Sequence, residues 1–136
     1  MEKEARSRIQ LTKQWVEKAV IGLNLCPFLK IPWQEGRVQT LGGPINDLDS
    51  LARQILNDLN QDKFETSLLV LNESPVFSDF YKLFGHLEDS LAQLGLDQQF
   101  QLVAFHPEFV FEGLHFEDLA NLVNRSPFPT LHFLKK

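Results

Sequence analysis

Three short stretches of this sequence carry side chains whose types and spacing could do chemistry. In the first, His106 follows the apolar run Phe100 to Phe105, and Glu108 comes two positions later, across Pro107. If extended backbone persists through the proline, imidazole and carboxylate point the same way. That spacing suits a general-base pair, in which the carboxylate fixes the imidazole tautomer, or two ligands of one metal ion. Zinc deaminases also begin with a histidine and a glutamate two positions apart. They need a Pro-Cys-x-x-Cys pair as well, and this chain has one cysteine, which excludes that reading. The structural alternative is a strand-end histidine bonded only to backbone.

The second stretch is Asn124-Arg125-Ser126-Pro127-Phe128-Pro129, followed by His132. An arginine in a proline-bounded loop is suited to a carboxylate or phosphate, because its planar fork makes two parallel hydrogen bonds. Asn124 and Ser126 add neutral hydrogen-bonding groups. A helix cap next to a surface arginine is the structural alternative. His132 lies within Thr130-Leu131-His132-Phe133-Leu134, where strand alternation sets it opposite Leu131 and Phe133. It is then either a satisfied core histidine or a residue that looks into a pocket. The third stretch is Leu25-Cys26-Pro27-Phe28, whose thiol could be a nucleophile or a metal ligand. The carbonyl end of the preceding helix disfavours a thiolate there, so inert packing competes with reactivity. His86, beside Glu88 and Asp89, reads as a solvated helix position, and His115 follows Gly113-Leu114 in a loop.

Elements must bring these stretches together. From about Glu4 to Leu23, Trp15, Val16, Ala19, Val20 and Leu23 recur at helical spacing, and Gly22 and Asn24 supply stop signals. Pro27 then pushes Cys26 towards extended backbone in a loop. Arg37 to Leu41 fits a short strand. After Gly42-Gly43-Pro44, Asn46 or Asp47 can cap a helix with the buried stripe Leu48, Leu51, Ala52, Ile55 and Leu59. Ser67 to Leu71 is apolar throughout after its serine, as in a strand covered on both faces. Ser74-Pro75 opens the longest helix, which carries Phe77, Phe80, Tyr81, Phe84, Leu87, Leu91 and Leu94 at three- and four-residue steps and stops at Gly95. Phe100 to Phe105 predicts a strand, Glu108 to Gly113 a structured loop, Glu117 to Val123 a short helix, and Thr130 to Phe133 a last strand. Helices and strands alternate, which predicts one α/β domain over 1–136. About four strands would form a mostly parallel or mixed sheet with helices packed on it. Sites in such sheets gather at the carboxyl ends of the strands.

Composition narrows the functions. The chain of 136 residues has 13 basic and 18 acidic side chains, a net charge of −5, and its basic residues are scattered rather than gathered on one face. That argues against nucleic acid as a partner. No apolar run is long enough to span a membrane, and Ile9 to Leu25 is too often interrupted for a signal peptide, so a cytoplasmic protein is expected. The single cysteine fits a reducing compartment. The motifs of nucleotide-binding loops are missing, and no nucleotide cofactor is expected. Of the 12 phenylalanines, Phe105, Phe109, Phe111, Phe128 and Phe133 flank the candidate histidines and arginine, where apolar walls would strengthen electrostatic interactions.

Three segments as a set also resemble a known family. These are Trp15-Val16 leading into Val20-Ile21-Gly22-Leu23-Asn24-Leu25-Cys26-Pro27-Phe28, Phe100-Gln101-Leu102 leading into Phe105-His106-Pro107-Glu108-Phe109, and Asn124-Arg125-Ser126-Pro127-Phe128-Pro129 with Leu131-His132. The sequence is similar over most of its length to the bacterial family called domain of unknown function 1415. The resemblance implies no reaction, but its signatures fall on Cys26, His106, Glu108, Asn124, Arg125, Ser126 and His132. Members of that family often continue with a charged helical tail, whereas this sequence stops at Lys135-Lys136. If that tail closes the pocket in other members, the resemblance implies a pocket here that is open or completed by a partner.

Together these features describe a small-molecule site for an anionic ligand. In an enzyme of hydrolase or transferase type, His106, Glu108, Cys26 and His132 would be catalytic, and Arg125, Asn124 and Ser126 would bind the ligand. A divalent metal held by His106, Glu108 and His132 is compatible with such a site. The alternative is a non-catalytic ligand-binding or protein-interaction domain. The two readings divide on whether Cys26, His106, Arg125 and His132 converge on one concavity.

Overall fold

The computed structural model describes residues 2–26 and 28–136. Helix α1 (Glu2–Trp15) passes without a break into a π-helical segment, Val16–Ile21, and a short helix α2 (Lys30–Gln34) follows. Strand β1 (Val38–Gly43) leads through a 3-10 turn, Ile45–Asp47, into α3 (Leu48–Asn60). Then come β2 (Thr66–Leu71), α4 (Phe77–Gln93), β3 (Phe100–Phe105), a 3-10 helix Leu119–Asn124, and β4 (Thr130–Lys135).

The sheet order is β1-β2-β4-β3. β1 and β2 are parallel, and β4 runs antiparallel to both of its neighbours, β2 and β3. The sheet is therefore mixed. Its one reversed strand, β4, lies in the middle because the connection from β3 carries no crossover helix and turns the chain back alongside β3.

Both helices with long apolar stripes cover one face. Ile55 and Leu59 of α3 and Phe80, Leu87 and Leu91 of α4 are buried against Leu69, Leu102, Leu131 and Phe133 of the strands. Burial of each such side chain contributes roughly 1.5–3 kcal/mol. The other face is covered by the N-terminal arm. Val16, Val20 and Leu29 pack on Leu68, with Trp15, Cys26 and Phe105 at the margin. The arm is tied down at the carboxyl end of β2 by Arg8, whose guanidinium donates to the Leu71 carbonyl and to Ser74 Oγ. The same guanidinium lies 4.7 Å above the Phe128 ring.

The first helix departs from its predicted course. Its last turns are π-helical, closed by bonds from Gly22 N to the Glu17 carbonyl and from Leu25 N to the Val20 carbonyl. Asn24 then takes a left-handed conformation (φ 54°) and ends the run. Pro27, expected to hold Cys26 extended, lies outside the described residues. Asp47 stands at the N-cap of α3 without a side-chain cap bond, because the 3-10 turn leads the chain in. The helix expected over Glu117 to Val123 is a 3-10 helix capped by Asp118, whose Oδ1 accepts from Ala120 N. Among the described residues no helix is long and apolar enough to cross a membrane.

Candidate functional site

The two candidate histidines of the strands face opposite sides of the sheet. Along β3, Phe100, Leu102 and Ala104 pack into the α3/α4 core, and His106 continues that alternation. Its ring lies 5.2 Å from that of Phe80 and 5.4 Å from that of Phe77. Both ring nitrogens have backbone partners: Nε2 lies 2.9 Å from the Pro75 carbonyl, and Nδ1 accepts from the backbone N–H of Glu108 at 3.0 Å. The tautomer is thereby fixed with the proton on Nε2. The Glu108 carboxylate, expected to steady this imidazole, makes no hydrogen bond to it, and the peptide N–H of Glu108 takes that place. His106 thus joins the strand end to the start of α4.

Arg125 is likewise occupied. Its Nε donates to the Phe109 carbonyl at 3.0 Å and Nη2 to the Phe116 carbonyl at 2.5 Å, while the guanidinium lies 4.1 Å above the Phe116 ring. The fork expected to grip an anion instead folds the 109–116 loop. Asn121, fully buried, completes that loop by accepting from Phe111 N and donating to the His115 and Phe116 carbonyls. Ser126 is buried with its hydroxyl 2.5 Å from the Phe128 carbonyl. Asn124 has two contacts: Nδ2 donates to the Ala104 carbonyl at 2.9 Å, and its backbone carbonyl accepts from His106 N.

On the opposite face lies a cavity of about 300 Å³ between the arm and the sheet. Its floor is Leu68 of β2, Val103 and Phe105 of β3, and His132 and Leu134 of β4. Its roof is Trp15, Val16 and Val20 from the helical arm, with Leu25, Cys26 and Leu29 from the following loop. Val123 and Asn124 line one end, and the exposed Gln101 stands at the edge. A second cavity of about 290 Å³ shares Cys26, Leu29, Gln101, His132 and Leu134, and opens towards Glu65, Lys135 and Lys136.

His132 is set in the centre of that floor by register. It pairs with Leu68 of β2 and Val103 of β3. Thr66, the diagonal neighbour on the same face, brings its Oγ1 to 2.6 Å from His132 Nε2 and donates to the Phe133 carbonyl at 2.8 Å. A hydroxyl has one proton. Since it goes to the carbonyl, Oγ1 must accept from Nε2–H, and Nδ1 is left as a bare lone pair. Nδ1 has no hydrogen-bond partner among the described residues. Burial lowers the His132 pKa to about 4, because the imidazolium would lose its hydration. The ring is therefore neutral at neutral pH.

Of the four side chains whose convergence was at issue, Cys26 and His132 meet at one cavity, while His106 and Arg125 are bonded elsewhere. The metal set His106, Glu108 and His132 does not assemble, since the sheet separates the two histidines. Among the described residues no three His, Cys, Asp or Glu side chains come together to hold a metal ion. Sequence reasoning missed Thr66 and Asn121. Thr66 acquires its role only through cross-strand register, which a single strand does not reveal. Asn121, polar among Leu119, Leu122 and Val123, was the visible signal of a buried loop organiser.

A family model described as a protein of unknown function, DUF1415, matches residues 7–136. No curated protein and no solved structure matches the chain.

Proposed function

The chain belongs to the DUF1415 family, and we propose that it acts by binding a small, largely apolar molecule in the cavity between its N-terminal arm and the sheet. One observation carries this: a buried, neutral histidine offers an unpartnered Nδ1 at a preformed apolar cavity. Pockets of this kind, apolar with a few placed polar groups, are where small ligands bind, and about 300 Å³ is the lower end of their range. The anionic ligand anticipated from Arg125 has less support, because that guanidinium is bonded to two carbonyls and no Lys or Arg lines this cavity among the described residues.

The test is a fragment titration followed by amide and methyl NMR, with indole as the probe. Shifts are expected at Val20, Leu68, Val103 and Phe105, and Val123→Trp, at the partly exposed end of the cavity, should abolish them by filling it. Shifts confined to the α3/α4 face or to the 109–116 loop, or no binding by any aromatic fragment, would overturn the proposal.

A second reading, of group-transfer chemistry, is favoured by the presence of Cys26 at both cavities that His132 lines. There the thiol would be the nucleophile and Nδ1 the base, with Thr66 as the orienting group. A pKa of about 4 makes His132 a weak base. Iodoacetamide kinetics separate the readings. Histidine activation predicts fast alkylation below the usual thiol range that is lost in His132→Gln. Simple ligand binding predicts the same rate in both proteins.

A further inference from the structure

Resting on that binding reading, we infer that the cavity selects neutral ligands that donate hydrogen bonds, because the open polar atoms of its sheet floor and of its Asn124 end are acceptors. The bond from Thr66 to the Phe133 carbonyl fixes the proton of His132 on Nε2, so Nδ1 can only accept. At the end that it forms with Val123, the Asn124 amide uses Nδ2 on the Ala104 carbonyl. Its Oδ1, also an acceptor, takes no hydrogen bond among the described residues. The remaining polar groups are the indole N–H of Trp15 in the roof, a donor, the Cys26 thiol, a weak donor, and Gln101 at the solvent edge.

Charge points the same way. No Asp, Glu, Lys or Arg side chain lines this cavity among the described residues; Glu65, Lys135 and Lys136 line only the adjoining one, where both ammonium groups are bonded, to Asp62 and to the Asp97 carbonyl. An anion would meet two acceptor atoms and no cation, and a cation would leave water without a counter-charge. The class that fits is a neutral ring compound with an O–H or N–H, such as a phenol or an indole, its ring against Phe105, Val103 and Leu68. A ligand of the same shape without the donor would leave Nδ1 dry and unpaired, and that penalty is what discriminates.

Matched pairs test this: indole against benzothiophene, and phenol against fluorobenzene, titrated into wild-type protein with the ring ¹⁵N shifts of His132 as readout. The donor member of each pair should bind about tenfold more tightly and move the Nδ1 resonance. His132→Phe should narrow the difference within each pair to what the Asn124 acceptor alone supports. If that variant does not fold, Asn124→Leu should narrow the indole preference, and the wild-type Nδ1 shift stands as the direct readout. Equal affinities within both pairs, with methyl shifts still at Leu68 and Val103, would overturn donor selection and leave the site intact. If no member of either pair shifts the cavity methyls, the binding reading itself fails.

Discussion

Thr66 has one hydroxyl proton, and its destination decides what His132 offers. With that proton on the Phe133 carbonyl, Thr66→Val leaves the Nε2–H of His132 buried without an acceptor. The expected cost is about 1–3 kcal/mol in urea denaturation, with Thr66→Ser close to wild type. The lowered pKa makes a second prediction. In the unfolded chain the histidine takes up a proton near pH 6.5, but in the folded protein only near pH 4. Between these values the unfolded state binds more protons, so stability falls as the pH is lowered through that window. His132 alone accounts for about 3 kcal/mol of this loss, with none added below pH 4. In His132→Gln the stability profile should be flatter by that amount between pH 6.5 and 4, and an unchanged profile would contradict the burial of a neutral imidazole. The lesson of His106 and Arg125 is the converse. Their types and spacing were legible as chemistry, yet the backbone carbonyls that occupy them become neighbours only on folding.

At the scale of elements, the apolar stripes of α3 and α4 and the strand runs were readable because period and burial coincide. The π-helical turns, α2 and the reversal of β4 were not. The π-helical turns are closed by local i to i+5 bonds that side-chain periodicity does not reveal, and α2 is joined to the arm by Trp33 Nε1, which reaches Glu17 at 3.3 Å. The π-helical segment shapes the cavity roof, and its exit is tight. A Cβ at Gly22 would overlap the Lys18 carbonyl oxygen, which is backbone and cannot step aside. Gly22→Ala should therefore cost about 1–3 kcal/mol and shift the amides of Val16 to Leu25, while α3 and α4 keep their spectra. In the 109–116 loop, Asn121→Ala removes three bonds to backbone groups and should cost about 2–3 kcal/mol. Faster amide exchange at Phe111 would report the loss, and unaltered exchange would show that Arg125 suffices to hold the loop.

For the whole molecule, the sheet is a partition. Its α3/α4 side is a continuous core into which His106 is built, and its other side is a thinner layer of arm residues that leaves room for a ligand. The two histidines should therefore act independently. His106→Gln should destabilise the fold yet leave indole affinity per folded molecule unchanged, and its cost should add to that of His132→Gln within about 0.5 kcal/mol. The most direct measurement is of intermolecular NOEs between bound indole and protein methyl groups. Contacts to Val20, Leu68 and Val103 are predicted. Contacts only to the methyls of α3 and α4, or saturable binding with no contact to the arm, would contradict the assignment of the site.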